Sequence, residues 1–268
     1  MMNLIGFDIG FSATRATSGV AKFEEDALFC KRTPSEWGNR EKVLGSCVAD
    51  VIAIDGPIIE DIGYPQRLCE TVFARGRFSR RCKPAFSHVP GTGRKFRTAT
   101  QETAKRLANL THGRDTGCAF PRVIKGKNIV EAFPNAFLGV LLADSYFQKV
   151  GRLKRGKKFD WLYDQCRQAG VFRYLTDSLG AGNLSATEIE GNEDHEERAA
   201  LVCLLTAAAV AVGRYTAVGE EGGGYFFLPP LVLWTEWARR ELELQRERDH
   251  MVRSGQMGNA VAWASNCP

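Results

Sequence analysis

The chain has 268 residues, of which 44% are hydrophobic and 25% charged, and its formal net charge is +5. These values are typical of a globular protein and exclude a disordered chain, a collagen-like repeat and a coiled coil. The sequence contains no long apolar span, and its eight cysteines are scattered without metal-ligand spacing; its first residues have no basic region and do not predict a signal peptide. We therefore expect a cytoplasmic protein with no membrane segment.

The first part of the chain predicts four strands and one helix. Short apolar runs that end near glycine predict strands, and a serine before an amphipathic segment predicts a capped helix. The uninterrupted run at 51–54 is typical of a strand buried on both faces. The predicted elements are strands over 3–8, 14–21, 27–31 and 51–54 and a helix over 35–48.

Helical and strand patterns alternate in the rest of the chain. This alternation predicts an α/β fold with a mixed sheet and helices on both faces. We expect a single domain over 1–268, with a basic insertion or cap over 68–127 and a C-terminal helix and tail over 231–268. The predicted elements are helices over 101–110, 136–142, 159–179, 192–215 and 234–251 and strands over 128–133 and 225–228.

Three acidic residues stand at the ends of predicted strands: Asp8, Asp55 and Glu131. Ligands of α/β proteins bind beyond the carboxyl ends of the strands. Neighbouring carboxylates repel each other unless a cation or a shared proton compensates, and oxygen ligands suit Mg²⁺ or Mn²⁺. We therefore predict that these three residues are catalytic and hold one or two divalent ions. A single aspartate before a glycine more often only begins an ordinary turn, whereas three acidic residues on three strands favour a shared site.

Two residues at the start of the long helix over 192–215 could complete such a site. His195 could act as a general base and Glu196 as a further acidic group. The alternative is structural, because Asp194 followed by Glu197 matches a capping box and acidic residues stabilise a helix N-terminus.

The segment 67–97 is strongly basic, with nine arginine and lysine residues against one glutamate. Arginine pairs with phosphate groups and aromatic rings stack on bases, so this segment predicts contact with DNA or RNA. The alternative is a solvated surface whose interleaved phenylalanines pack in the core. A second basic cluster lies at 152–158. The candidate substrate-binding residues are Arg67, Arg75, Arg80 and Arg81.

Several motifs, in their order along the chain, resemble the uncharacterised "domain of unknown function 429" family. They are GFDIG at 6–10, IDGPI at 54–58, RLCE at 67–70, VEAFP at 130–134 and HEERAALV at 195–202, followed by FFLP at 226–229. The family is described as predicted nucleases with a ribonuclease H-like fold. The resemblance implies a five-stranded mixed sheet whose first and fourth strands are parallel neighbours that carry Asp8 and Asp55.

The chain departs from this family pattern at two positions. Glu70 stands where many relatives carry aspartate. Ala199 also stands where many relatives carry aspartate, which removes a metal ligand unless His195 or Glu196 substitutes for it.

The leading hypothesis is therefore a metal-dependent nuclease, in which bound ions activate water and stabilise the leaving oxygen. A second hypothesis is a small-molecule kinase or ATPase, because the segment 8–14 also looks like the first phosphate loop of actin-like enzymes. The chain shows no second copy of that unit. A third hypothesis is a nucleic-acid-binding module without activity, which fits Ala199.

Overall fold

The computed structural model describes residues 2–12, 14–59, 66–82, 87, 90–111, 128–148, 153, 156–180, 184–220 and 222–254. Within these ranges the protein has an α/β fold with one mixed, seven-stranded sheet flanked by helices. The order of the strands in the sheet is β3-β2-β1-β4-β5-β7-β6. The strands are β1 (Leu4–Asp8), β2 (Ser18–Glu24), β3 (Ala27–Thr33), β4 (Val51–Asp55), β5 (Ile129–Ala132), β6 (Thr216–Glu220) and β7 (Gly224–Leu228).

The helices lie between the strands in sequence and cover the sheet. None of those in the described ranges combines the length and the apolar character that a membrane crossing requires. The helices are α1 (Trp37–Leu44), α2 (Leu68–Phe73), α3 (Gly76–Arg81), α4 (Thr92–Leu107), α5 (Pro134–Gly139), α6 (Asp144–Gln148), α7 (Lys158–Gln168), α8 (Val171–Leu179), α9 (Ala186–Gly191), α10 (His195–Ala211) and α11 (Glu236–Ser254).

The centre of the sheet is parallel. Strands β1, β4, β5 and β7 run in one direction, whereas β2 and β6 are antiparallel to their neighbours. The expected parallel pairing of the first and fourth strands is confirmed. The sheet has seven strands instead of five because β7 adds to β5 and β6 pairs with the outer edge of β7.

Helix α10 forms the centre of the larger hydrophobic core. Residues Arg198–Val210 are all buried, as is typical of a helix that is apolar on every side. The helix packs across β1, β2 and β4. Glycine makes this approach possible, because a Cβ on Gly6 would lie 2.2 Å from the Ala200 carbonyl oxygen and one on Gly19 would lie 1.9 Å from the Glu196 carbonyl oxygen.

The opposite face of the sheet carries a smaller core. Ile5, Phe7, Ile52 and Ile54 alternate with the residues that face α10, and they pack with α4 residues such as Leu107. Two apolar faces on one sheet explain why β1 and β4 read as continuous hydrophobic runs.

Several predicted boundaries differ from the observed ones. Ser35 does not cap α1, because its hydroxyl lies 3.2 Å from that of Thr17 and the N-cap residue is Glu36. The single helix predicted over 159–179 is two helices, since Gly170 adopts a left-handed conformation between them. Helix α4 begins at Thr92 instead of 101.

We expect the substitution Gly6→Ala to destabilise the fold. The added Cβ would meet backbone atoms of α10 at 2.2 Å, so relief requires the helix to move. Overpacking of this kind costs about 1–3 kcal/mol, which urea unfolding followed by circular dichroism would measure.

The matched control for this substitution is Gly38→Ala in α1. Nothing lies within 4 Å of the Cβ that it would add, and alanine is the better helix former. If Gly6→Ala were as stable as the parent protein, the close packing of α10 on β1 would be contradicted.

A candidate acidic site at the ends of β1 and β4

Two aspartates lie side by side where β1 and β4 end. Asp8 and Asp55 are direct partners in the parallel pairing of these strands, so their side chains leave the same face of the sheet. This is the face that α10 covers, because Gly6 precedes Asp8 by two residues and contacts that helix. The pairing predicted for the two carboxylates is confirmed.

Both aspartates have pKa values above the ordinary range. Burial raises the pKa of Asp8 well above its usual value, and the charges of Asp55 and Glu196 raise it further. Burial, together with the charge of Glu131, raises the pKa of Asp55 to about 7. The site is thus a carboxylate pair that favours a proton or a cation.

Glu196 brings a third carboxylate towards the pair from α10. Its charge acts on Asp8, and its backbone lies against Gly19, the residue of β2 that pairs with Asp8. Asp194 caps the helix, because its Oδ1 accepts hydrogen bonds from the amides of Glu196 and Glu197 at 3.0 and 3.2 Å. The capping role predicted for Asp194 is confirmed, and it holds Glu196 in the first turn.

Glu131 does not join the pair as expected. It is paired with Ile54, whereas Asp55 is paired with Ala132, so Glu131 leaves the opposite face of the sheet from Asp55. Both of its oxygens accept hydrogen bonds from Arg67, at 2.6 and 2.7 Å. In the part of the chain that the structure describes, no group of three or more His, Cys, Asp or Glu residues is arranged to hold a metal ion.

Arg67 is the centre of a buried network. It is 5% exposed, and besides Glu131 it donates to Glu70 at 3.1 Å. Ser87 donates to the same Glu70 oxygen through its hydroxyl and its amide, at 2.5 and 3.1 Å. The network borders a cavity of about 80 Å³ that Asp55 also lines. Because the guanidinium is committed within the fold, this geometry argues against the substrate contact expected for Arg67.

The other candidate substrate-binding arginines are divided between the surface and internal contacts. Arg75 and Arg80 are exposed, and Arg75 lies 3.4 Å from Asp249. Arg81 pairs with Asp144 and lies over the Trp237 ring, with its guanidinium carbon 4.2 Å from the ring centroid.

Of the interleaved phenylalanines, Phe73 and Phe78 are buried in the core and are not available for stacking on bases. Phe96 is half-buried, and Phe86 lies outside the described residues. In the second basic cluster, Lys157 pairs with Asp160 at 3.2 Å, whereas 152, 154 and 155 lie outside the described residues. The structure therefore supports the core-packing alternative for two of these aromatic residues.

His195 faces α7 instead of the aspartates. Its Nδ1 lies 2.6 Å from an oxygen of Asp160, and its ring packs edge-on against Phe159. These contacts support a structural role, so the catalytic role expected for His195 is not supported by the geometry.

Arg40 is a residue of the site region that the sequence pattern did not single out. It is 4% exposed and donates to the Gly10 carbonyl, the Ser18 hydroxyl and the Thr103 hydroxyl, at 2.5, 2.7 and 2.8 Å. It thereby fixes the turn that follows Asp8. Its neighbours in α1 are mostly polar, so no local pattern indicates that this arginine is buried.

No model of a known protein family matches this chain, and comparisons with curated proteins and with solved structures give no match either. The geometry of the described residues is therefore the basis for the functional inference.

We expect Asp55→Asn to stabilise the metal-free protein at neutral pH. The substitution removes a charge that burial and Glu131 disfavour. The thermal midpoint should rise by a few degrees, since about 1 kcal/mol corresponds to roughly 2–4 °C in a domain of this size. Glu243→Gln, at an exposed position of α11, is the control and should leave the midpoint unchanged. A lower midpoint for Asp55→Asn would show that its charge is already compensated.

The stability of the metal-free parent should fall as the pH rises from about 4 to 7. The pKa of Asp55 is about 7 in the folded state and near 4 in an unfolded chain. Between these values the folded state holds a proton that the unfolded state has released, so raising the pH favours unfolding. Thermal midpoints in matched buffers measure this slope, and it should be shallower in the variant that carries Asp8→Asn and Asp55→Asn. A midpoint that rises over this range would contradict the assignment.

Proposed function

We propose that the protein is a metal-dependent phosphodiesterase that cleaves nucleic acid, with Asp8 and Asp55 at the reacting centre. The observation that carries the proposal is the register of β1 and β4, which sets the two carboxylates side by side. Adjacent, parallel first and fourth strands that carry these aspartates are also what the resemblance to the "domain of unknown function 429" family implies. This agreement supports a ribonuclease H-like core within the larger sheet.

The chemistry of the aspartate pair suits a hard divalent cation. Asp8 and Asp55 offer only carboxylate oxygens, which Mg²⁺ and Mn²⁺ prefer. Glu196, whose charge acts on Asp8, is not arranged with them as a three-ligand site, so it would have to move closer to share the ion. A cation would also relieve the repulsion that raises the pKa of Asp8. When bound, one or two such ions supply an activated water and stabilise the leaving oxygen. Ala199, where the family pattern has aspartate, offers no ligand, so Glu196 is the proposed third group.

The surrounding residues determine the solvent exposure, the local charge and the position of the two carboxylates. The packing of α10 partly shields the pair from water, which strengthens its interaction with any cation. Arg67 pairs with Glu131 behind Asp55 and compensates part of its charge. Arg40 holds the turn at Gly10 and thereby fixes the end of β1.

The nucleic acid would contact the exposed cations of α3. Arg75, Arg77 and Arg80 are exposed on this helix. Such side chains bind the phosphate backbone without sequence preference and give salt-dependent affinity. Either DNA or RNA is consistent with contacts of this kind.

One observation favours a second function, a nucleic-acid-binding module without turnover. Ala199 is buried at a position where the family pattern carries an acid, and the aspartate pair lacks a third ligand from a strand. This alternative predicts binding that weakens with salt but no cleavage with any divalent ion.

Cleavage of labelled single-stranded and double-stranded DNA and RNA tests the proposal. With Mn²⁺ or Mg²⁺ present, Asp8→Asn and Asp55→Asn should each lower the rate by at least about 100-fold, more than the loss typical of outer partners of a metal ligand. Glu196→Gln should also lower the rate, and Glu243→Gln serves as the control.

Thermal midpoints should accompany each rate, so that lost activity is not confused with unfolding. Activity that survives both aspartate substitutions would overturn the proposal. Salt-sensitive binding with no turnover in the parent would favour the binding module.

A further inference from the structure

Arg40 is a buried cation that forms no direct ion pair with a described residue, although the charge of Asp8 acts on it. Its hydrogen-bond acceptors are a backbone carbonyl and two hydroxyls, all of them neutral, and its Nε has no partner. A buried charge is ordinarily paired, because burial without an opposite charge costs several kcal/mol. A guanidinium with an unpartnered Nε and no direct ion pair therefore points to an anion that completes its surroundings.

A cavity of about 290 Å³ opens beside this guanidinium. Its volume is close to the lower end of the roughly 300–1,000 Å³ range of small-molecule sites. The residues that line it come from the turn after β1 and from α1 and α4. Those used below are Phe11, Trp37, Arg40, Ala99, Glu102 and Arg106.

A second arginine stands at the rim of the cavity. Arg106 is exposed, and its guanidinium carbon lies 5.4 Å from the centroid of the Trp37 ring. Burial, assisted by the charge of Arg106 and opposed by that of Asp8, lowers the pKa of Arg40 to about 10. The two guanidinium groups repel each other across the cavity. A phosphate group between them would relieve this repulsion, and its oxygens match the donors of arginine.

The rest of the lining suits the remainder of a nucleotide. Phe11 is 43% exposed at the mouth and presents a ring on which a base can stack. Glu102 can accept hydrogen bonds from a ribose hydroxyl or a base amino group. The Glu102 carboxylate also disfavours a ligand with several phosphates, because it repels additional negative charge. We propose that this cavity is a binding site for a nucleoside monophosphate or a single nucleotide unit, with the phosphate between Arg40 and Arg106.

The lining of the proposed pocket contains neither Asp8 nor Asp55, although the charge of Asp8 acts on Arg40. Arg40 lies over the ring of Phe7, which belongs to the smaller core on the face of the sheet opposite α10. Asp8 and Asp55 leave the face that α10 covers. Binding in this cavity can therefore be measured without the chemistry proposed for the aspartates.

Calorimetric titration with adenosine monophosphate, adenosine and inorganic phosphate tests the proposal. The protein carries Asp55→Asn but retains Asp8, because the charge of Asp8 acts on Arg40, and it is kept free of divalent ions, so failure here leaves the proposed cleavage untouched. Adenosine monophosphate should bind more tightly than either of the other two probes.

Two variants on α4 locate the binding without disturbing the buried contacts of Arg40. Arg106→Glu should weaken the affinity for adenosine monophosphate by about tenfold or more, the size expected for a charge-assisted contact. Ala99→Phe should block binding by filling the cavity. Lys95→Glu makes the same charge change on the exposed surface of α4 outside the cavity lining, and should have little effect.

Three outcomes would overturn the proposal. The first is that adenosine monophosphate does not bind. The second is that adenosine or phosphate alone binds as tightly as adenosine monophosphate, which would show that the cavity does not recognise a whole nucleotide. The third is that affinity is unchanged in Arg106→Glu and Ala99→Phe, which would place the ligand elsewhere.

Discussion

The close approach of α10 to the sheet determines the character of the acidic site. Gly6 and Gly19 have no side chains, so the helix backbone lies directly on β1 and β2. This contact brings the first turn of α10, with Glu196, next to Asp8. Burial, and then the charges of Asp55 and Asp8, raise the pKa of the Cys203 thiol, which places that residue of α10 beside the pair as well. A looser helix would admit water to the carboxylates and would return them to ordinary surface acids.

The two neighbouring carboxylates of the site lower the stability of the folded state, and this effect distinguishes the site from an ordinary turn. A strand-end aspartate in a turn is hydrated and hydrogen-bonded, whereas Asp8 and Asp55 lie beside each other and are half-buried. Structures keep such groups where binding or chemistry requires them. By contrast, the buried ion pair of Glu131 with Arg67 is satisfied internally and needs no ligand.

The sequence predicted the aspartate pair but could not predict the position of Glu131. An apolar run that ends in aspartate shows which residue stands at the strand end, and two such strands in parallel bring their ends together. Whether a third acid shares their face depends on register, and a shift of one residue turns a side chain to the opposite face. Glu131 is paired with Ile54 instead of Asp55, and nothing in the local pattern of β5 reveals that choice.

Strand β6 was missed for a different reason. The alanine-rich helical pattern of α10 continues almost to Thr216, and the strand that follows has only five residues. Its place in the sheet depends on its pairing with β7, which is a tertiary contact.

The environments of the charged side chains were the feature of the structure that the sequence predicted least well. The basic segment 67–97 suggested a uniform surface for a polyanion, yet Arg67 is buried and Arg81 lies against Trp237. Arg40 stands outside that segment, in a helix that looks ordinary, and is buried without a direct ion pair to a described residue. A count of charges predicts the long-range field of a protein, but the position of a binding site depends on which charges the fold leaves uncompensated. In this protein those are an acidic pair on one face of the sheet and an arginine on the other.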